Sequence, residues 1–306
     1  MSGDHWYCSV SRLVKASYFD GFCGFGKGEG GQAEAQAKSP DTSNAPGIAL
    51  GRTAPLAMQG QKIKPIAFES EDLFRWIGQD VNKGLAKPYQ SLIERGGDAG
   101  VDTGAPPDSN AAFLMRTALD ARVSSDLIRK AVRRKPEVQY NMTNPLAQQL
   151  SMIASMIAAG LPTRVYYAQL GGFDTHAGQG GQYGNHAGLL ERFSSAVRTF
   201  YQDLKKLGVD ERVLTMSFSE FGRRVAQNNS QGTDHGTAAP MFLFGPMVNP
   251  GVLTAHPSLK ELDEGDLKYT TDFRMVYAGV LKHWLAADDK AVLERSFEAA
   301  PVIKRS

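Results

Sequence analysis

Thr163-RVYYAQLGGFDTHAGQ-Gly180 opens as a β-branched and aromatic strand and ends in a glycine-rich loop that carries Asp174 and His176. Helical spacing follows from His186 to Leu207, and Gly208 supplies the stop. Arg212-VLTMS-Phe218 is a second apolar strand. Strand, helix and strand at this spacing make a βαβ unit, which predicts two parallel strands in one sheet. Asp174 and His176 then leave the first strand at its carboxyl end, the edge where open parallel sheets bind ligands. Glu220 follows the second strand at the same edge.

Outward from this unit the pattern stays α/β. Leu146 to Ala159 has an apolar helical face, with Asn144 as cap, Pro145 in the first turn and Gly160 after the end. Met241-FL-Phe244 reads as a further short strand, and Asp272 to about Leu285 and the residues from Lys290 as helices. Upstream, Ala111 to Arg134 has helical periodicity, Ile66 to Asp80 suggests a brief helix, and Gly47-IAL-Gly51 a short strand. Gly96 to Ser109 is a polar linker. Residues 1–45, rich in Gly, Ala and Ser, read as an irregular or disordered amino-terminal segment, and 46–306 as one α/β domain.

Composition narrows the function classes. A formal charge of +2 gives no nucleic-acid signature, and Arg129-Lys130 with Arg133-Arg134-Lys135 reads as the solvated face and end of a helix. Cys8 and Cys23 are too few for a zinc knuckle or a disulfide scaffold. No apolar run is long enough to span a membrane, and the first residues lack the charged-then-apolar architecture of an export signal. Gly24-Phe-Gly26-Lys-Gly28 matches neither the dinucleotide nor the P-loop spacing.

The chemistry concentrates in two acid-histidine pairs, Asp174-Thr-His176 and Asp234-His235, with Ser217-FSEFGRR-Val225 between them. Asp174, His176, Glu220, Asp234 and His235 are the candidate metal ligands. Mixed carboxylate and imidazole donors suit zinc, manganese or iron, whereas calcium prefers oxygens alone and stands as the last option. Arg223 and Arg224 are candidates to clamp an anionic ester such as a phosphate or sulfate. A lone Asp-Thr-His is more often an Asx turn than a ligand pair, and it is the recurrence beside three strands that favours metal. His186 opens a helix, where capping or packing competes with ligation; His5, His256 and His283 read as structural. One geometric condition attaches to Asp234 and His235. They precede their strand, so they reach the common rim only if Met241–Phe244 runs antiparallel or their loop doubles back.

Tyr166-YAQLGGFDTHAGQ with His186-AGLLERF, Val213-LTMSFSEFGRRVAQN, Gly232-TDHGTAAPMFLFG and Thr271-DFRMVYAGVL resemble the domain of unknown function 1501 family. The likeness is specific from about Pro145 to Leu285 and looser over Pro46-GIALGRTAPLAMQ-Gly60. It implies the alkaline phosphatase and sulfatase superfamily fold, a three-layer α/β/α domain with a mostly parallel sheet. It also implies a metal-dependent hydrolase of phosphate or sulfate esters, holding zinc or manganese. Ser219-Glu220-Phe221-Gly222 falls where superfamily members carry Asp-His-Gly, and His235 matches their late histidine ligand. The chain departs from the pattern at its start: it enters near Tyr18-Phe-Asp20, without the family's first strand and Gly-Gly-x-Asp turn. The resemblance therefore implies a truncated start, lacking the nucleophile and half of a dimetal site, and an export address in full-length relatives. The competing expectation is a non-catalytic binding or structural relative.

Overall fold

The computed structural model describes residues 47–55, 58, 65–70, 82–85, 87–88, 91, 125, 128–161 and 163–304. The amino-terminal segment 1–45, the 96–109 linker and both cysteines lie outside them, as does most of the expected helix 111–134, of which 125 and 128–132 are helical. The chain is mixed α/β. β1 (Gly47–Leu50) forms the middle of a three-stranded parallel sheet in the order β2-β1-β3, with β2 at Ile66–Phe68 and β3 at Val165–Tyr167. All four β1 residues are buried because both faces are covered. Ile48 and Leu50 join the main core, while Ala49, pointing the other way, packs with Met58, Ala67 and Tyr167. The brief helix expected from Ile66 instead begins as a strand. Ile66, Ala67 and Phe68 pair in register with Ile48, Ala49 and Leu50, and that placement carries Phe68 into the core.

Two helices cover the first face. α1 (Pro145–Ala158) starts where the sequence places it: the Asn144 side chain accepts from the Leu146 amide and donates to the Arg192 carbonyl at 2.8 Å. Gly160 then takes φ +74°, which an L side chain rarely adopts. α2 (Asn185–Lys206) buries Ala196, Val197, Phe200 and Leu204, the i, i+1, i+4, i+8 stripe of an amphipathic helix. Burying a side chain such as Phe200 contributes roughly 1.5–3 kcal/mol. Beyond the sheet, α3 (Phe273–His283), capped by Asp272, sets Val280 among Leu214, Met216, Val302 and Ile303. Next to it, α4 (Asp289–Leu293) adds Val292 and Leu293 to a cluster that reaches Val165.

The second half of the βαβ unit differs from the sequence expectation. β4 (Thr215–Met216) does not pair with β3; its partner is β7 (Leu243–Phe244), antiparallel, in a separate two-stranded sheet. A cavity of about 1040 Å³ lies between β3 and β4 and is lined by both. Both strands are also shorter than their apolar runs, since a ladder extends only where a partner backbone is present. The antiparallel course of β7 meets the condition set for His235. The loop doubles back as well: β5 (Gly222–Gln227) and β6 (Thr233–Gly236) form an antiparallel hairpin with an irregular register.

Candidate metal centre

The Asp174 loop leaves the carboxyl end of β3, and the β5–β6 hairpin folds against it. The contact is made by backbone: Gly178 and Gln179 amides donate to Ser230 and Gln231 carbonyls, each at 3.0 Å. Only glycine suits position 232, because a Cβ there would lie 2.3 Å from the His176 carbonyl carbon. Asn228 organises the turn. Its side chain accepts from the Ser230 and Gly232 amides and donates to the His176 carbonyl and to Asp234 Oδ1, the last two at 2.9 Å.

This zipper interlocks the two acid-histidine pairs crosswise. Asp174 Oδ1 lies 2.8 Å from His235 Nε2 and 3.0 Å from His176 Nε2. His176 turns its other ring nitrogen, Nδ1, to Asp234 Oδ1 at 3.1 Å. One ligand atom from each of Asp174, His176 and His235 falls within 4.8 Å of the others, and all three residues are exposed. The His176 and His235 rings sit 4.7 Å apart, and Phe221 stacks on His235 at 3.9 Å with only 9° between planes. Asp234 stands behind His176 rather than among the three.

The electrostatics keep both carboxyls ionised. The His235 hydrogen bond, with the fields of His176 and Arg223, holds Asp174 below the ordinary carboxylate value. Asn228 first, then His176, does the same for Asp234, with a smaller field from Arg224. His186 is apart from this group. It meets Phe173 edge-on at 5.7 Å, and burial, then Arg223, lowers its pKa.

The remaining sequence candidates take other positions. Glu220 lines the cavity between β3 and β4, outside the three-residue group; its charge, after burial, raises the Tyr167 hydroxyl. Arg223 donates to the carbonyls of Phe173 and Thr233, and its guanidinium stands 3.6 Å from Asp174. It pins the two loops beside the carboxylate. Arg224, next along β5 and so on the opposite face, pairs with Asp266 at 3.5 Å. Sequence reasoning missed Asn228 and Phe221. The Asn228-Asn-Ser-Gln-Gly232 run is a turn signal that could have revealed the first; nothing local marks the second.

The model of a family described as proteins of unknown function, DUF1501, matches residues 109–274, more than half of the chain. The chain belongs to that family, and the matched stretch contains every residue of the cluster. No curated protein and no solved structure matches the chain.

Proposed function

We propose that this family member holds a divalent transition metal on Asp174, His176 and His235 and hydrolyses small phosphate or sulfate esters. The convergence of those three ligand atoms from the Asp174 loop and strand β6 carries the reading. The donor set fits: one carboxylate oxygen and two imidazole nitrogens suit zinc or manganese better than calcium. Three protein donors also leave positions for solvent and substrate, as hydrolytic sites require. Asp234 behind His176 supplies the outer carboxylate that orients a ligating imidazole and raises its basicity. A bound ion would polarise an ester oxygen and acidify its water.

The chain's own groups do the positioning. Phe221 fixes the plane of His235, Asn228 fixes Asp234, and Arg223 holds the Asp174 loop while lending positive field at the cavity mouth. The departure of the Asp174 loop from the carboxyl end of a parallel strand agrees with the alkaline phosphatase-like architecture that the sequence resembles. Glu220 stands on the cavity wall as a further carboxylate, and Arg224 contributes field rather than contact.

A second reading has its own observation. Asp174 is already engaged by His176, His235 and Arg223, so the cluster closes as a polar clasp between loops without an ion. Metal analysis separates the two. After incubation with zinc or manganese and desalting, the protein should retain stoichiometric metal and the His235→Ala variant should not. A wild-type protein that retains none ends the metal reading. Turnover of aryl phosphates or sulfates that disappears with Asp174→Ala supports hydrolysis; tight metal binding without turnover of any ester leaves a binding role.

A further inference from the structure

Beside its buried stripe, α2 carries an apolar flank that opens outward. Leu190, Phe193, Val197 and Tyr201 recur along it at i, i+3, i+7 and i+11, and with Phe242 and Phe244 at β7 they line an open groove of about 800 Å³. The Phe193 ring stands 6.0 Å from each of the other two phenyl rings. Leu190 and Phe242 each keep 43% of their surface exposed.

The rim of the groove says what covers it. Glu191 and Arg198, both exposed, border it from the same side of α2, two turns and about 10.5 Å apart along the axis. Among the described residues neither side chain makes a hydrogen bond or an ion pair. Midway between them lie Ser194 and Ser195, whose hydroxyls donate to the Glu191 and Arg192 carbonyls at 3.1 and 3.2 Å. Such short side chains let another backbone come close, and their donors are already paired when they are covered. An acid and a base equidistant from a midpoint of small residues are complementary to their own copy. A second α2 laid antiparallel on the first, with a two-fold axis between Ser194 and Ser195, sets Glu191 against Arg198 twice. A parallel alignment, or an axis at residue 191 or 198, sets like charge against like. The favoured register also brings Leu190 of the second copy opposite Thr199, beside Val197 and Tyr201 in the groove. Lys205, the next cation on this side of the helix, falls opposite Gly184 and meets no like charge.

We infer that the outer flank of α2 is the contact of a two-fold dimer, in which α2 packs antiparallel on α2 of a second copy of this chain. Leu190 of each copy fills the aromatic groove of the other, and the two Glu191–Arg198 pairs at the rim fix direction and register. Burial of the apolar flank supplies the affinity, while the charges select the partner. The dimer does not depend on the metal reading, since none of the cluster residues lines this groove.

The test is sedimentation of the full chain and of charge-reversed variants. The wild type should show a concentration-dependent dimer. Glu191→Arg and Arg198→Glu should each weaken it at least about tenfold, because symmetry turns two attractive contacts repulsive in one substitution. Mixing the two variants should restore a dimer containing one copy of each, since both of its rim contacts again join opposite charges. The double variant Glu191→Arg/Arg198→Glu should dimerise with itself for the same reason. Glu191→Gln, which removes the charge without reversing it, should weaken the dimer less than Glu191→Arg, and it carries the test if a reversed chain fails to fold. A wild type that stays monomeric overturns the proposal, whether the groove is then open or covered by another part of the chain. A dimer indifferent to Glu191→Arg, Arg198→Glu and Glu191→Gln overturns it in favour of another surface. Folded single variants that dissociate and do not recombine on mixing overturn the two-fold pairing.

Discussion

Asp203 and Asp174 are both carboxylates held by two partners or more, yet the chain places them in opposite circumstances. Asp203, on α2, is 1% exposed and accepts from the Glu137 amide at 2.9 Å and the Tyr140 hydroxyl at 3.1 Å. Burial first, then the Asp203 charge, pushes that hydroxyl far above its ordinary range, so it stays a donor. Asp174, on a loop, keeps 61% of its side chain exposed and faces two imidazoles and a guanidinium. The buried carboxylate is satisfied by two neutral donors, and it ties the 137–140 segment to α2. The exposed one faces two imidazoles, a side-chain type that can also ligate a metal, and a guanidinium, which cannot. The difference teaches that the number of hydrogen bonds does not distinguish a structural acid from a chemical one. What the partners could do instead does.

The sharpest break in that comparison is Asp203→Leu. The buried Tyr140 hydroxyl and the part-buried Glu137 amide lose their acceptor, so unfolding in urea should show a loss of about 3 kcal/mol, while metal retained per folded chain stays unchanged. Gly232→Ala should act the other way. The new Cβ forces the hairpin off the His176 loop, and zinc affinity should fall about 100-fold, about 2.7 kcal/mol, with a smaller effect on stability. Retained affinity in that variant would show that the loops need no close backbone contact to build the site.

The smallest effect concerns acid. Asp174 has its folded pKa depressed below the ordinary 3.8, chiefly by the His235 hydrogen bond. Its stabilising contribution is therefore complete above that ordinary value and is lost as pH falls through the lower folded one. The difference in melting temperature between wild type and Asp174→Asn should shrink as pH falls below about 4. A difference that does not change into strong acid would assign the Asp174 effect to shape rather than charge.

The helices were legible because their signals are local: Asn144 before Pro145, Gly160 and Gly208 after the ends, and a single apolar stripe on α2. The positions of β1, β3, β4 and β7 were legible, whereas β2 and the partners of these strands were not. Val165–Tyr167 reads as a strand on its β-branched and aromatic residues, but which backbone lies beside it depends on what fills the next place in the sheet. The β5–β6 hairpin left little trace because Arg223 to Gln227 is mostly exposed and lacks alternation; the Asn228 turn and three close-packed glycines, 222, 232 and 236, shape it. The acids and histidines of the site were visible as pairs. Their crosswise exchange was not, because backbone contacts between distant loops set it.

The parallel stack of Phe221 on His235 has a magnetic consequence. Circulating π electrons in the phenyl ring shield protons held above its face, so the imidazole protons of His235 should resonate upfield of those of an unstacked histidine. His176 is tilted at 43° to His235, and among the described residues it has no such parallel ring pair. The two histidines of the cluster should therefore be separable in a proton spectrum before any variant is made, and the one that moves when an ion is added can be identified by its starting frequency.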